Sequence, residues 1–198
     1  MASRLWDTAV TPQLRAVVGR TASLDIVREH YQRPNAATEL DRLLYLDLKT
    51  AIWGNDLVKV NTAARISGVR VRFPFLDPDL ARFTGTLSAA MKMRGQEKRY
   101  IFKRAVSDLL PDVVRRKTKH GFGVPVAEWI RSDRRVREAV IDPILDEGSP
   151  VNAFLNRTGL HRLVDDHLRE RWDHGTWLWA LMILARWLSA RKGLYGPA

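Results

Sequence analysis

The sequence predicts a mostly α-helical chain. Three observations carry that reading. Apolar residues recur at three- and four-residue intervals in nearly every segment, capping and breaking residues fall at the segment ends, and alternating strand-like runs are few. No internal repeat, low-complexity tract or glycine/serine linker interrupts the pattern.

Taken in order, Leu14, Val17 and Val18, then Leu24, Val27 and Tyr31, have helical spacing broken near Gly19-Arg20-Thr21. Thr11 is placed to cap the first of these helices, with Pro12 in its first turn. Pro34-Asn35 breaks the chain, and Thr38 opens a helix with Glu39 and Asp41 in its first turn. The apolar set Leu40, Leu43, Leu44, Leu46, Leu48 and Ile52 is broad enough for a buried helix, which Gly54-Asn55 is expected to end. Asn55 or Asp56 would cap the next helix, running from Leu57 to about Ile66 and stopped by Ser67-Gly68. Val69, Val71 and Phe73 lead as an extended piece into Pro74, because a residue before proline is pushed out of the α region.

Asp77-Pro78 begins another helix, with the carboxylate as N-cap and the proline at its first position. Leu80, Phe83, Leu87 and Ala90 give it one apolar face. A helix is expected from Glu97 to Leu110, followed by a short basic turn from Pro111 to Gly123. In that turn, Gly121 and Gly123 around Phe122 allow angles other residues avoid. Helices over 124–130, 136–145 and 160–172 follow, with Asp142-Pro143 and Glu147-Gly148-Ser149-Pro150 as punctuation. The last helix, over 176–190, is apolar almost all round, which predicts a buried helix with Trp177, Trp179 and Trp187 in the core.

The bulk numbers bound the function. A chain of 198 residues can fill one core, with room for a second small domain. It has no cysteine, so disulfides, thiolate metal sites and cysteine nucleophiles are excluded, which fits a cytoplasmic protein. Met1 is not followed by a secretory apolar segment, and the longest apolar run, from Trp177 to Ala185, is far below the roughly 18 residues of a membrane span. The formal charge of +11 favours polyanions such as a nucleotide triphosphate. Much of it is arginine dispersed on helices, which argues against a dedicated nucleic-acid surface.

No metal-ligand spacing, nucleophile elbow or glycine-rich phosphate cradle occurs. The chemistry concentrates between Asp56 and Pro125. Arg72-Phe73-Pro74-Phe75-Leu76-Asp77 reads as a structural turn in which Phe73, Phe75 and Leu76 plug a core, Asp77 caps a helix and Arg72 pairs with an acid. Lys98 falls in the first turn of its expected helix, where the helix dipole disfavours a cation unless an anion is to be held there. A solvated lysine and an anion ligand both stay open on these grounds. Arg115, Arg116, Lys117 and Lys119 have the density of a phosphate-binding loop or of a solvated basic one.

Read together, these blocks resemble the carboxy-terminal part of the synthetase domain of glutamine-dependent asparagine synthetases. The matching text is Tyr45-Leu-Asp-Leu-Lys-Thr50, Asp56-Leu-Val-Lys-Val60, the Arg72-x-Pro74-Phe75-Leu76-Asp77 turn, Glu97-Lys98, and Leu109-Leu-Pro111. It continues with Arg116-x-x-Lys119-x-Gly121-Phe-Gly123-Val-Pro125, Leu178-Trp-Ala-Leu181 and Trp187-Leu188. The ordered set covers about residues 38 to 190, which sets 38–198 apart from a helical lead-in over 1–37.

The resemblance implies the helical carboxy-terminal portion of an α/β adenylating domain of the PP-loop ATPase type. It implies a reaction in which ATP activates the aspartate side-chain carboxylate as an aspartyl adenylate, and ammonia from a glutaminase domain then displaces the nucleotide. Lys98 matches the lysine that contacts the phosphates, while Lys119, Arg116 and Arg72 line the same region more loosely. Pro74, Phe75, Asp77, Gly121 and Gly123 would shape the surrounding turns. ATP and magnesium are the implied small molecules, and no metal ligand is assigned in this chain.

The family's Ser-Gly-Gly-x-Asp-Ser nucleotide loop and later Ser-Gly-x-Gly-x-Asp-Glu motif do not occur here. Asn61-Thr62, Arg65, Arg70 and Ala185 depart from its pattern, Arg70 being a charge reversal. The expectation is a truncated or split enzyme, inactive alone, whose site is completed by an amino-terminal synthetase/glutaminase half on another chain. A homo-oligomer stays open, as do a non-catalytic basic helical module that binds nucleic acid or a protein, and a related amide-forming ligase. If another part covers the Asp56–Phe75 region, an apolar patch is expected there.

Overall fold

The computed structural model describes residues 2–118 and 123–191. They form two compact units, one of Met1–Arg20 with Gly121–Ala198 and one of Thr21–His120. The mostly α fold class holds: thirteen α-helices and one two-stranded sheet are present among the described residues. None of these helices is long and apolar enough to cross a membrane.

The first unit is entered through α1 (Ala2–Ala9) and α2 (Pro12–Val17). The expected Thr11 cap forms, its hydroxyl accepting from the Leu14 N–H at 3.4 Å, with Pro12 opening the helix.

The second unit starts with α3 (Ala22–Gln32) and α4 (Glu39–Asp47). Thr38 caps α4 as expected, accepting from the Asp41 N–H at 3.2 Å. Contrary to the sequence reading, Gly54-Asn55 does not end this helix. α4 runs on as a π-helical segment, Leu48–Leu57, directly into α5 (Val58–Ile66). Lys49 bridges the wide turns by lying over the rings of Tyr45, at 5.6 Å, and Trp53, at 5.1 Å. Asp56 consequently caps nothing and pairs with Lys59 at 3.0 Å.

Gly68, at φ +66°, turns the chain out of α5. After Val69–Phe73 a single 3₁₀ turn, Pro74–Leu76, precedes α6 (Pro78–Thr86). Asp77 caps α6 as predicted, accepting from Asp79 N–H at 2.9 Å and Leu80 N–H at 3.1 Å. Next come α7 (Ala89–Lys92), then β1 (Met93–Arg94) antiparallel to β2 (Glu97–Lys98). α8 (Tyr100–Ala105) and α9 (Asp112–Arg116) complete the unit. Lys92 reaches back to Asp41 at 2.6 Å, tying α7 to α4.

Back in the first unit lie α10 (Val126–Ser132), α11 (Arg134–Leu145), α12 (Arg157–Leu168) and α13 (Gly175–Ser189). Pro143 sits inside α11 instead of ending it. The buried residues of the described chain lie here, among them Ile130, Val140, Ile144, Leu160 and Leu178. Close helix approach explains two glycines. A Cβ on Gly159 would lie 2.5 Å from Ala9 Cα, and one on Gly175 would lie 2.6 Å from Ala127 Cα. Asn156 caps α12 through the Gly159 N–H at 2.7 Å and also donates to the Thr8 carbonyl at 3.0 Å, which docks α1.

α13 corrects the expectation of an all-round buried helix. Leu178, Leu181, Met182 and Ala185 form its buried face, whereas Trp177, Trp179, Ile183 and Trp187 are left half-exposed.

Candidate functional site

The predicted site residues belong to the second unit, except Gly121 and Gly123, which fall in the first. Lys98 is not in a helix. A hairpin precedes α8, pairing Met93 with Lys98 and Arg94 with Glu97. The cause is Gly95, which takes φ +59° as the first of two loop residues, the glycine-first connection suited to tight hairpins. Arg99 then adopts the left-handed conformation, φ 59° and ψ 37°, and α8 starts at Tyr100. The expected Glu97–Leu110 helix thus shrinks to six residues, and Lys98 lies on β2, two residues before a helix start that has no side-chain cap.

Electrostatics single Lys98 out within this hairpin. Glu97, its neighbour, pairs with Lys103 at 3.1 Å. Arg94 donates to the Tyr100 hydroxyl at 2.9 Å and lies over its ring, with Arg104 also over that ring at 5.9 Å. Lys98 is exposed and has no ion pair among the described residues. An exposed, unopposed ammonium on a fixed hairpin end is available to an incoming anion.

The Pro74-Phe75-Leu76 turn does not plug a core. Phe75 is 71% exposed and rests edge-on against Phe102 of α8, ring centroids 5.7 Å apart and planes at 76°. That contact fixes the turn to the helix that follows Lys98, so two of the three sequence blocks are physically joined. Arg72 is exposed and pairs with no acid among the described residues, contrary to expectation. Pro74 opens the 3₁₀ turn and Asp77 closes it as the α6 cap.

In the basic block, Arg115 and Arg116 both pair with Asp112 on α9, Arg116 at 3.3 Å. A Cβ on Gly123 would meet nothing within 4 Å. Lys119, His120, Gly121 and Phe122 lie outside the described residues.

The expected apolar exposure around Asp56–Phe75 is present. Ile66 is 78% exposed and Val69 59% exposed, alongside Val58 and Phe75. Among the described residues of Thr21–His120 none is fully buried.

Sequence reasoning missed His167, the one completely buried histidine of α12. Its Nδ1 accepts from the His174 N–H at 3.1 Å, so the proton resides on Nε2, which donates to the Ala127 carbonyl at 3.2 Å. Burial, followed by the nearby Arg131 charge, holds its pKa below the usual histidine value. The apolar residues around it on α12 were the available signal. It is a structural staple between α10, α12 and the start of α13.

An open cavity of about 500 Å³ in the first unit is lined by Pro143, Asp146, Ser149, Arg186 and neighbours. It contains none of the predicted site residues, and its polar groups serve the fold: Ser149 donates to the Pro143 carbonyl at 2.6 Å and Arg186 to the Ala139 carbonyl at 3.3 Å. Cavity size is therefore a poorer guide here than the free cations of the second unit.

The chain belongs to the asparagine synthase family, whose pattern matches residues 2–189. Asparagine synthetase (glutamine-hydrolyzing) 1 of Bacillus subtilis (strain 168) is 22% identical over 188 residues, covering 94% of this chain and 29% of that protein. A Mycobacterium bovis protein whose name also reads asparagine synthetase (glutamine-hydrolyzing) is 26% identical over 163 residues, covering 82% of this chain and 24% of its own. This chain spans 24–29% of the length of these relatives. No solved structure matches it.

Proposed function

We propose that this chain supplies one wall of an adenylating site for ATP-dependent amidation of aspartate, completed by a nucleotide-binding part that these 198 residues do not contain. The observation that carries the reading is the unopposed Lys98 on its hairpin, whose acidic neighbour Glu97 is occupied by Lys103. A carboxylate is a poor electrophile until adenylated. As its oxygen bonds to the α-phosphorus, the bond to the leaving pyrophosphate breaks and negative charge gathers there. A pre-placed cation lowers that barrier because it costs no reorganisation at the moment of reaction. In this reading Lys98 faces the leaving pyrophosphate, and Arg72 and the α9 arginines contribute more diffusely.

Magnesium would shield the phosphates when bound. Among the described residues no three His, Asp or Glu side chains converge as a cation site. In this reading its ligands come from the nucleotide-binding part and the phosphates. The exposed apolar region from Val58 to Phe75 gives that part a surface to cover.

The test mixes this chain with a candidate nucleotide-binding half and measures aspartate-dependent pyrophosphate release. Lys98→Ala should lower the rate by about 100-fold, the usual cost of one charge-stabilising group. Its melting curve should stay unchanged, since Lys98 is exposed. No aspartate-dependent release at high protein concentration, or an unaltered rate in the variant, would overturn the reading.

A further inference from the structure

We propose that Val69–Phe73 is a docking edge to which an extended acidic segment of a partner adds as a strand. The five residues make no helix, turn or bend, and lie between the Gly68 turn and the 3₁₀ turn at Pro74. Their backbone is unspent. Val69 N–H donates back to Ala64 at 2.9 Å and Phe73 carbonyl accepts from Leu76 at 2.9 Å. Between these ends, the N–H groups of Arg70 to Phe73 and the carbonyls of Val69 to Arg72 have no partner among the described residues. A run of free donors and acceptors is a template for pairing.

The side chains alternate as such an edge requires. In an extended chain Arg70 and Arg72 fall on one side and Val69, Val71 and Phe73 on the other. Both arginines are exposed and have no ion pair among the described residues, and Val69 and Val71 are exposed as well. Two unpaired guanidinium groups at alternate positions select acids at the facing positions of the incoming strand.

Charge also argues against a second copy of this chain as the occupant. Antiparallel self-pairing centred on Val71 would set Arg70 directly against Arg72 twice over, and like charges directly opposite are destabilising. A nucleic acid could use the arginines, but the free carbonyls offer nothing to phosphate. The inference shares Arg72 and part of the exposed Val58–Phe75 surface with the proposed function, but it is read from peptide affinity and not from pyrophosphate release, so the two failures are distinguishable.

The test uses the full chain and a fluorescein-labelled peptide of alternating glutamate and valine, about eight residues long, a little above the ordinary strand length. Fluorescence anisotropy should show binding at least about tenfold tighter than for the lysine–valine counterpart, weakening as salt rises. Val71→Pro should weaken binding about tenfold or more by removing a donor, with little effect on folding because that N–H has no partner. N-methylation of alternate peptide backbone nitrogens leaves the protein untouched and should have the same effect. The double variant Arg70→Glu, Arg72→Glu should reverse the preference toward the lysine peptide. The proposal is overturned if the N-methylated peptide or Val71→Pro leaves affinity unchanged, or if the acidic peptide does not bind. It is also overturned if a single-stranded oligonucleotide displaces the peptide and binds more tightly, or if the chain instead dimerises through this edge.

Discussion

Replacing Gly159 by alanine should destabilise the first unit, and the structure sets the scale. The added methyl would meet Ala9 Cα at 2.5 Å, Thr8 carbonyl oxygen at 2.5 Å and Ala9 Cβ at 2.7 Å. Two of these are backbone atoms, so no rotamer change relieves the overlap, and α1 must move away from α12. Forced overpacking of this kind costs about 1–3 kcal/mol. An escape route exists if α1 undocks. That sacrifices the Asn156 side-chain bond to Thr8, the Asn156 N–H bond to Ala9 and the Thr11 N–H bond to Phe154. Each such bond contributes about 1 kcal/mol net, and buried Ala9 and Val10 would also be exposed. Undocking would cost more than about 3 kcal/mol, so strain is the cheaper route and a loss of about 2 kcal/mol is expected. Urea unfolding followed by tryptophan fluorescence measures it, because six of the seven tryptophans lie in this unit. With a slope of roughly 2 kcal/mol per M, the midpoint should fall by about 1 M. Gly85→Ala is the control, since Gly85 lies within α6 and its added methyl meets nothing within 4 Å. A Gly159→Ala midpoint equal to that of the native chain would refute the close-approach argument.

Two further outcomes follow from buried and unburied groups. His167 has a folded pKa held below its unfolded value of about 6.5, so the unfolded state takes the proton first. Its contribution is present above that pH and is lost as pH falls from about 6.5 toward the folded pKa, so melting temperature should drop over this range. His167→Asn should be less stable at pH 7.5, about one unit above that pKa, and show a smaller fall; an equal pH dependence in both proteins would contradict the burial argument. Hydrogen exchange should be slowest at amides around Ile130, Ile144, Leu160 and Leu178, and faster throughout α3 to α9, where no described residue is fully buried. Comparable protection in both units would contradict it.

The fold class and the local caps were legible because they depend on neighbours in sequence. Thr11, Thr38 and Asp77 each bond a backbone N–H two or three residues on, and the sequence contains everything that interaction needs. The helix through Gly54-Asn55 was misread because glycine and asparagine were taken as a stop, whereas the chain widens there into a π-helical segment that carries on into α5. Burial was misread for a related reason. The periodicity of Leu43, Leu44 and the α13 tryptophans reports that an apolar face exists, and leaves unspecified what covers it. Gly95-Gln96 was the overlooked signal, since strands of two residues are too short to show alternation.

That hairpin changes what Lys98 can be asked to do. At a helix N-terminus, free N–H groups would share an anion with the ammonium, and a lysine lost there would leave part of the site behind. On β2 the side chain lies just ahead of α8 and not within its first turn, with Arg99 in a left-handed backbone between them. Two substitutions then separate side-chain charge from the backbone at this position. Lys98→Arg should keep much of any pyrophosphate-releasing activity and Lys98→Gln little of it. A glutamine variant as active as the arginine one would move the charge-stabilising role away from this hairpin.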